Sequence, residues 1–98
     1  MKTPEDRVKS DIRKYLDDLK QSSGGQLFWD ARQAGGFCYK KGIPDLWCIY
    51  KGVHYEIEVK APGGHRTPLQ EKFQTILQKA GCVYIVADCV EDVKNLIH

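Results

Sequence analysis

The sequence predicts an α/β domain with the element order αβββαβα. Three observations carry this. The helix-start pattern of threonine, proline and, three residues after the threonine, an acid or amide occurs twice, at Thr3 and at Thr67. Residues 53–60, V-H-Y-E-I-E-V-K, alternate apolar and polar as a half-buried strand does. Residues 82–87 form a continuous apolar run just after Gly81, which reads as a strand.

The first helix is expected over residues 3–20. Thr3 is the N-cap, Pro4 fits the first helical position, and Val8, Ile12, Tyr15, Leu16 and Leu19 make one apolar stripe. Glu5 projects onto that same face, whereas Asp6 lies about 100° away. Residues 21–25 are a loop, and residues 27–33 read as a strand. A glycine-containing loop ending in Lys40 and Lys41 follows. The stretch G-I-P-D then leads into a second strand over residues 45–50. Lys51 and Gly52 make a two-residue turn, with glycine supplying positive φ, and the third strand is residues 53–60. After a Gly-rich loop, a helix runs from Thr67 to about Ala80 and stops at Gly81. Phe73, Ile76, Leu77 and Ala80 are its expected core residues. A short helix over residues 90–97 closes the chain.

The chain has 98 residues, the size of one domain over 1–98. Its small size makes dimerisation a natural supplement to stability. No apolar run approaches the ~20 residues of a membrane helix, and the charged start lacks a signal-peptide core. An intracellular, cytoplasmic protein without a membrane role is expected. The cysteines at 38, 48, 82 and 89 match no zinc spacing, and reduced thiols suit that compartment. The formal charge is only +2, but Arg32, Lys40, Lys41, Lys51, Lys60, His65 and Arg66 concentrate in the middle of the chain. A basic face of this kind suits a polyanion.

The chemistry-bearing residues fall on the hairpin. With a Lys51–Gly52 turn, Tyr50 pairs with Val53, and Asp45 then falls opposite Glu58. Their Cβ atoms come ~4.5–5.5 Å apart on one face. Lys60, two residues past Glu58, points the same way. Opposed carboxylates repel unless positive charge lies between them. Lysine answers that need in part, and a hard divalent ion such as Mg²⁺ or Mn²⁺ answers it better. Glu56 shares the face but pairs with Trp47, which makes it secondary. His54 lies nearer the turn and is expected in solvent. Trp29, Trp47, Tyr50 and Tyr55 are expected to pack.

At Pro44-Asp45 and Glu58-Val59-Lys60 the sequence resembles the PD-(D/E)XK nuclease superfamily. It looks closest to its VRR-NUC (virus-type replication-repair nuclease) family. The stretches G-I-P-D-L, I-E-V-K and T-P-L-Q match that family's pattern in order, over nearly the whole chain. The resemblance implies a restriction-endonuclease-like αβββαβ core, with a mixed central sheet flanked by helices. It implies that Asp45 and Glu58 bind Mg²⁺ or Mn²⁺ with the Val59 carbonyl and Glu5. It further implies that Lys60 positions or activates water and that Gln70 lies beside the site. Gln70 also serves a capping box in its own right. Lys40 and Lys41 are expected to contact DNA phosphates. His65 and Arg66 are candidates for phosphate contact or plain loop surface. Stand-alone members of this size resemble Holliday-junction resolvases. A homodimer cutting branched DNA, four-way junctions foremost, is therefore expected. A nuclease for flap, duplex or single-stranded DNA, and a non-catalytic DNA-binding module, are the alternatives.

Overall fold

The fold is taken from a computed structural model, which describes residues 2–32 and 40–98. Its elements are α1 (Pro4–Ser22), β1 (Leu27–Ala31), β2 (Leu46–Tyr50), β3 (Val53–Val59), α2 (Pro68–Lys79), β4 (Val83–Ala87) and α3 (Val90–Lys94). The order αβββαβα is the expected one. The four strands form one mixed sheet in the order β1-β2-β3-β4. The pairs β1–β2 and β2–β3 are antiparallel, and β3–β4 is parallel. The parallel pair requires a crossover, and α2 supplies it.

Both long helices start as the sequence dictates. Thr3 accepts a hydrogen bond from the Asp6 N–H while Asp6 accepts one from the Thr3 N–H. Thr67 and Gln70 repeat this reciprocal box at the start of α2. Hydrogen bonding from the Thr3 side chain, and then from its backbone N–H, holds the Asp6 carboxyl below the usual carboxylate range. The end of α1 comes later than expected, at Ser22. Ser22 and Ser23 donate their hydroxyls back to the carbonyls of Leu19 and Lys20, so serines that read as loop instead finish the last turn. The expected end of the first strand at Gln33, and Cys38 in the following loop, lie outside the described residues.

One face of the sheet carries the core. Val8, Ile12 and Leu16 of α1, with Val93 and Ile97 from the C-terminal segment, pack on Leu27, Leu46, Cys48, Ile57, Val59, Ile85 and Ala87. Each fully buried aliphatic side chain contributes about 1.5–3 kcal/mol relative to exposure. Burial also pushes the Cys48 thiol up to about 12. Cys48, Cys82 and Cys89 are all free. No helix among the described residues is long and apolar enough to cross a membrane.

The other face is different. Helix α2 lies over only part of it, and no residue of α2 is fully buried. Ile76 and Ala80 are exposed, contrary to the expected core role, and Phe73 and Leu77 are half-buried. The periodicity of α2 is amphipathic, but its apolar stripe meets a sheet face that is largely polar. Phe28 and Ile49 on β1 and β2 are also exposed there.

Two backbone positions hold the site in place. Lys51 and Gly52 both take positive φ, 50° and 83°, the type I′ geometry that matches strand twist. Gly42 has φ 89°, and a Cβ there would lie 2.7 Å from the Leu69 Cβ and 2.9 Å from the Leu69 carbonyl carbon. The loop before β2 therefore rests directly on the first turn of α2. Gly42→Ala combines left-handed strain with a backbone clash. It is expected to destabilise the protein by about 1–3 kcal/mol, seen as a lower denaturant midpoint at unchanged slope.

Candidate active site

The hairpin register is the one set by the two-residue turn. Tyr50 pairs with Val53, Cys48 with Tyr55, Trp47 with Glu56 and Leu46 with Ile57. The paired residues end there; the same register carried one step on would set Asp45 opposite Glu58. Strand β2 itself begins one residue after Asp45, but the Asp45 carbonyl still accepts the Arg32 N–H at 2.7 Å, which carries the β1–β2 ladder onward. His54, Glu56 and Glu58 all project to the face opposite the aliphatic core.

On that face two carboxylates are deeply buried, Glu56 at 1% and Glu58 at 2% exposure. A buried charge without a partner costs several kcal/mol, and each has an arginine. Arg32 donates from Nη1 and Nη2 to the two oxygens of Glu56 at 2.6 and 3.0 Å, and from Nη1 to the Pro44 carbonyl at 2.8 Å. The His54 ring nitrogen Nε2 stands 2.7 Å from Glu56 Oε2. His54 is thus half in solvent and half committed to Glu56. Arg66 donates from Nε and Nη2 to Glu58 at 3.0 and 3.1 Å, and from Nη2 to Gln74 Oε1 at 2.6 Å. The Tyr84 hydroxyl donates to Glu58 at 2.7 Å. Burial raises the Tyr84 pKa, and the bond to Glu58 raises it further.

Asp45 is more open. Its side chain is 28% exposed, and Lys9 of α1 approaches it at 3.5 Å. Glu5 lies one turn before Lys9, half-buried on the helix flank that also carries Val8. Lys60 follows β3, its N–H donating to the Ala87 carbonyl at 2.8 Å. Its half-buried side chain lines an open cleft of about 430 Å³ with Gly64, Arg66, Val86, Asp88 and Asp92. Val59 is buried, its side chain in the core. The Gln70 amide oxygen accepts from the Thr67 N–H, so its NH₂ group is the end left for other contacts. Lys40, Lys41 and His65 are exposed, while Arg66 turns inward onto Glu58.

Asp45, Glu58 and Lys60 thus share one end of the hairpin, with Glu5 on the neighbouring helix. Two groups of three metal-ligating side chains come within 4.8 Å among the described residues. They are His54, Glu56 and Cys82, and Asp88, Cys89 and Asp92. Glu5, Asp45 and Glu58 do not form such a group, and Asp45 and Glu58 are each drawn instead to a cationic side chain. Sequence reasoning missed Lys9, Tyr84, Gln74 and the ion pair of Arg32. The signal for Arg32 was indirect, since a buried E-x-E on one strand face demands counter-charge from elsewhere in the chain.

No family model matches the sequence, and no curated protein does. The chain is similar to a solved structure of a VRR_NUC domain. The two are 24% identical, superpose with a TM-score of 0.75, and align over 98% of this chain and 96% of that one. The likeness shows the fold: a mixed four-stranded sheet flanked by helices, with the expected αβββαβ core, is the fold of a VRR_NUC domain.

The two ion pairs differ in burial, so they should differ in weight. Arg32→Met leaves Glu56 buried beside His54 alone and is expected to cost about 3–5 kcal/mol in chemical denaturation. Lys9→Met removes a more open partner and should change stability by less than about 1 kcal/mol.

Proposed function

We propose that this chain is a metal-dependent nuclease of the VRR-NUC type that hydrolyses phosphodiester bonds in DNA. One observation carries the reading. In a fold shared with a VRR_NUC domain, the hairpin is paired in register from Tyr50–Val53 to Leu46–Ile57, and that register carried one step on brings Asp45 toward Glu58, with Lys60 two residues further along. Outside a metal site, two acids in register are an unfavourable pairing.

The donor set fits Mg²⁺ or Mn²⁺. Asp45 and Glu58 offer hard oxygens, and each already attracts a cation, Lys9 or Arg66. Asp45 and Glu58 would hold the ion, with the Val59 carbonyl and Glu5 completing the set. A bound divalent ion supplies Lewis-acid stabilisation of phosphate charge and a water acidic enough to attack near neutral pH. The protein's own groups do the rest. The Lys60 ammonium, beside the cleft, stabilises charge gathering on the phosphate oxygens and orients the attacking water. That water forms a new P–O bond as the ester P–O bond breaks. Gln70, whose amide oxygen is held by the Thr67 N–H at the start of α2, orients either water or phosphate through its NH₂. Lys40 and Lys41 lie just before the G-I-P-D stretch and grip the DNA backbone, with His65 on the β3–α2 loop.

The finer reading is a homodimer that cuts branched DNA, foremost four-way junctions. Its support is the exposed apolar surface of a small chain, Phe28, Ile49, Leu69 and Ile76, which a second copy would cover. A two-fold dimer presents two sites to a two-fold symmetric junction.

The decisive experiment incubates labelled four-way junction, flap, duplex and single-stranded DNA with Mg²⁺, Mn²⁺ or chelator. Cleavage is expected with metal, strongest on the junction, and Glu58→Ala or Lys60→Ala should slow it by about 10²-fold or more. Wild type and variants behaving alike on every substrate would sink the catalytic reading, and metal-independent binding without cleavage would favour a DNA-binding module. Separately, reversing Lys40 and Lys41 to glutamate should weaken DNA binding. It should also flatten the slope of log K against log salt by about 0.9 per lost duplex contact.

A further inference from the structure

Glu58 presents a conflict that the proposed function alone does not resolve. The reading above needs its oxygens for a metal ion. In the structure both are taken, Oε2 by Arg66 Nε, and Oε1 by Arg66 Nη2 and the Tyr84 hydroxyl. Glu58 is 2% exposed, so the carboxylate faces these partners and not open solvent. The guanidinium occupies the ground that an ion would take.

Each arginine has one further neutral acceptor besides its acid, the Pro44 carbonyl for Arg32 at 2.8 Å and Gln74 Oε1 for Arg66 at 2.6 Å. What sets Arg66 apart is its position. Arg66 is carried by the loop between β3 and α2, and it lines the same cleft of about 430 Å³ as Lys60. Its further partners are the Gln74 amide oxygen and the face of the Tyr84 ring, 6.0 Å from the guanidinium carbon. Neither is a charge that would hold it against displacement. It therefore has an aqueous space beside it and a second cation already facing that space.

We propose that Arg66 is an exchangeable counter-ion at the metal site: a divalent ion takes its place on Glu58, and the released guanidinium turns into the cleft to form a two-cation phosphate subsite with Lys60. This rests on the metal-dependent reading of Asp45 and Glu58 and adds to it a role for Arg66. The exchange keeps Glu58 neutralised at every stage, since one positive group replaces another. It also couples the two ligands. Metal binding frees the arginine that a phosphate needs, and a phosphate on that arginine keeps it off Glu58. Metal and phosphate thus raise each other's affinity by the same factor. Tyr84, whose hydroxyl stays on Oε1, holds the carboxylate in place while its partners change.

The test follows the Arg66 Nε–H resonance by ¹⁵N NMR, assigned by its loss in Arg66→Lys, alongside calorimetric titration with Mg²⁺. The resonance is expected to move with the same saturation as the heat of Mg²⁺ binding. Inorganic phosphate should then move it again, but only with Mg²⁺ present. Arg66→Gln, which keeps a hydrogen-bond donor and removes the competing charge, should bind Mg²⁺ roughly ten-fold more tightly, because a charge-assisted hydrogen bond to Glu58 no longer has to be given up. Arg66→Lys keeps the charge, and its affinity should stay near that of wild type, which separates competition from a damaged fold. Mg²⁺ binding with a stationary Arg66 resonance, or no tightening in Arg66→Gln, overturns the exchange and leaves the metal-site reading standing. No Mg²⁺ binding in either wild type or Arg66→Gln overturns the metal-site reading itself, and the exchange with it.

Discussion

Positive φ at Lys51 and Gly52 locks Tyr50 against Val53, and every lateral neighbour along β2 and β3 follows from that pairing. Strand side chains have a period of two, so a slip of one residue would bring Glu56 and Glu58 into the aliphatic core and turn Ile57 and Val59 out. The register is therefore enforced twice. The turn favours it locally, and the burial of Ile57, Val59, Leu46 and Cys48 against α1 favours it across the chain. Agreement between a local and a long-range preference is what gives one register a clear advantage over its rivals.

That register leaves two acidic side chains where solvent does not reach them. Charge deprived of water must be met by opposite charge and by hydrogen bonds. The strands supply part of this, the Tyr84 hydroxyl on Glu58 and the His54 ring on Glu56, but no arginine or lysine, and β2 offers only Trp47 and Ile49 on that face. The counter-charges come from just outside the strands: Arg32 after β1, and Arg66 from the loop before α2. The ionic face thus ties down connecting segments much as the apolar face ties down helices. With Gly42 seated on Leu69, it gathers the ends of β1 and β2 and the start of α2 around one spot. Asp45, Glu58 and Lys60 lie there because three separate pieces of chain must converge to satisfy those acids.

How much of this was legible in the sequence depended on range. Capping boxes, the tight turn and the hairpin register are decided by residues a few positions apart, and they read directly from Thr3, Thr67, Lys51 and Gly52. The element order and the pairing of β2 with β3 as far as Leu46 and Ile57 followed from them. The partners of the acids did not. Arg32 reaches Glu56 across a connection whose length gives no register, and Tyr84 comes next to Glu58 only through the parallel pairing of β4. The end of α1 was misplaced because Ser22 and Ser23 bonded back to the helix rather than leaving it. Ile76 was misassigned for a different reason. Amphipathic spacing states which face of a helix is apolar, but not whether a partner surface exists to cover it.

Helix α2, with no residue fully buried, is attached chiefly at its first turn and through Gln74. Its apolar residues are at most half-buried, as at Phe73 and Leu77, so it belongs at the weakly protected end of the structure. The core cluster shared by the sheet and α1 includes no residue of α2. A molecule that has shed α2 would therefore remain folded by most measures while Gln70 is gone and Arg66 has lost its amide support. The working range of the site is bounded by the detachment of one helix, not by the unfolding of the chain.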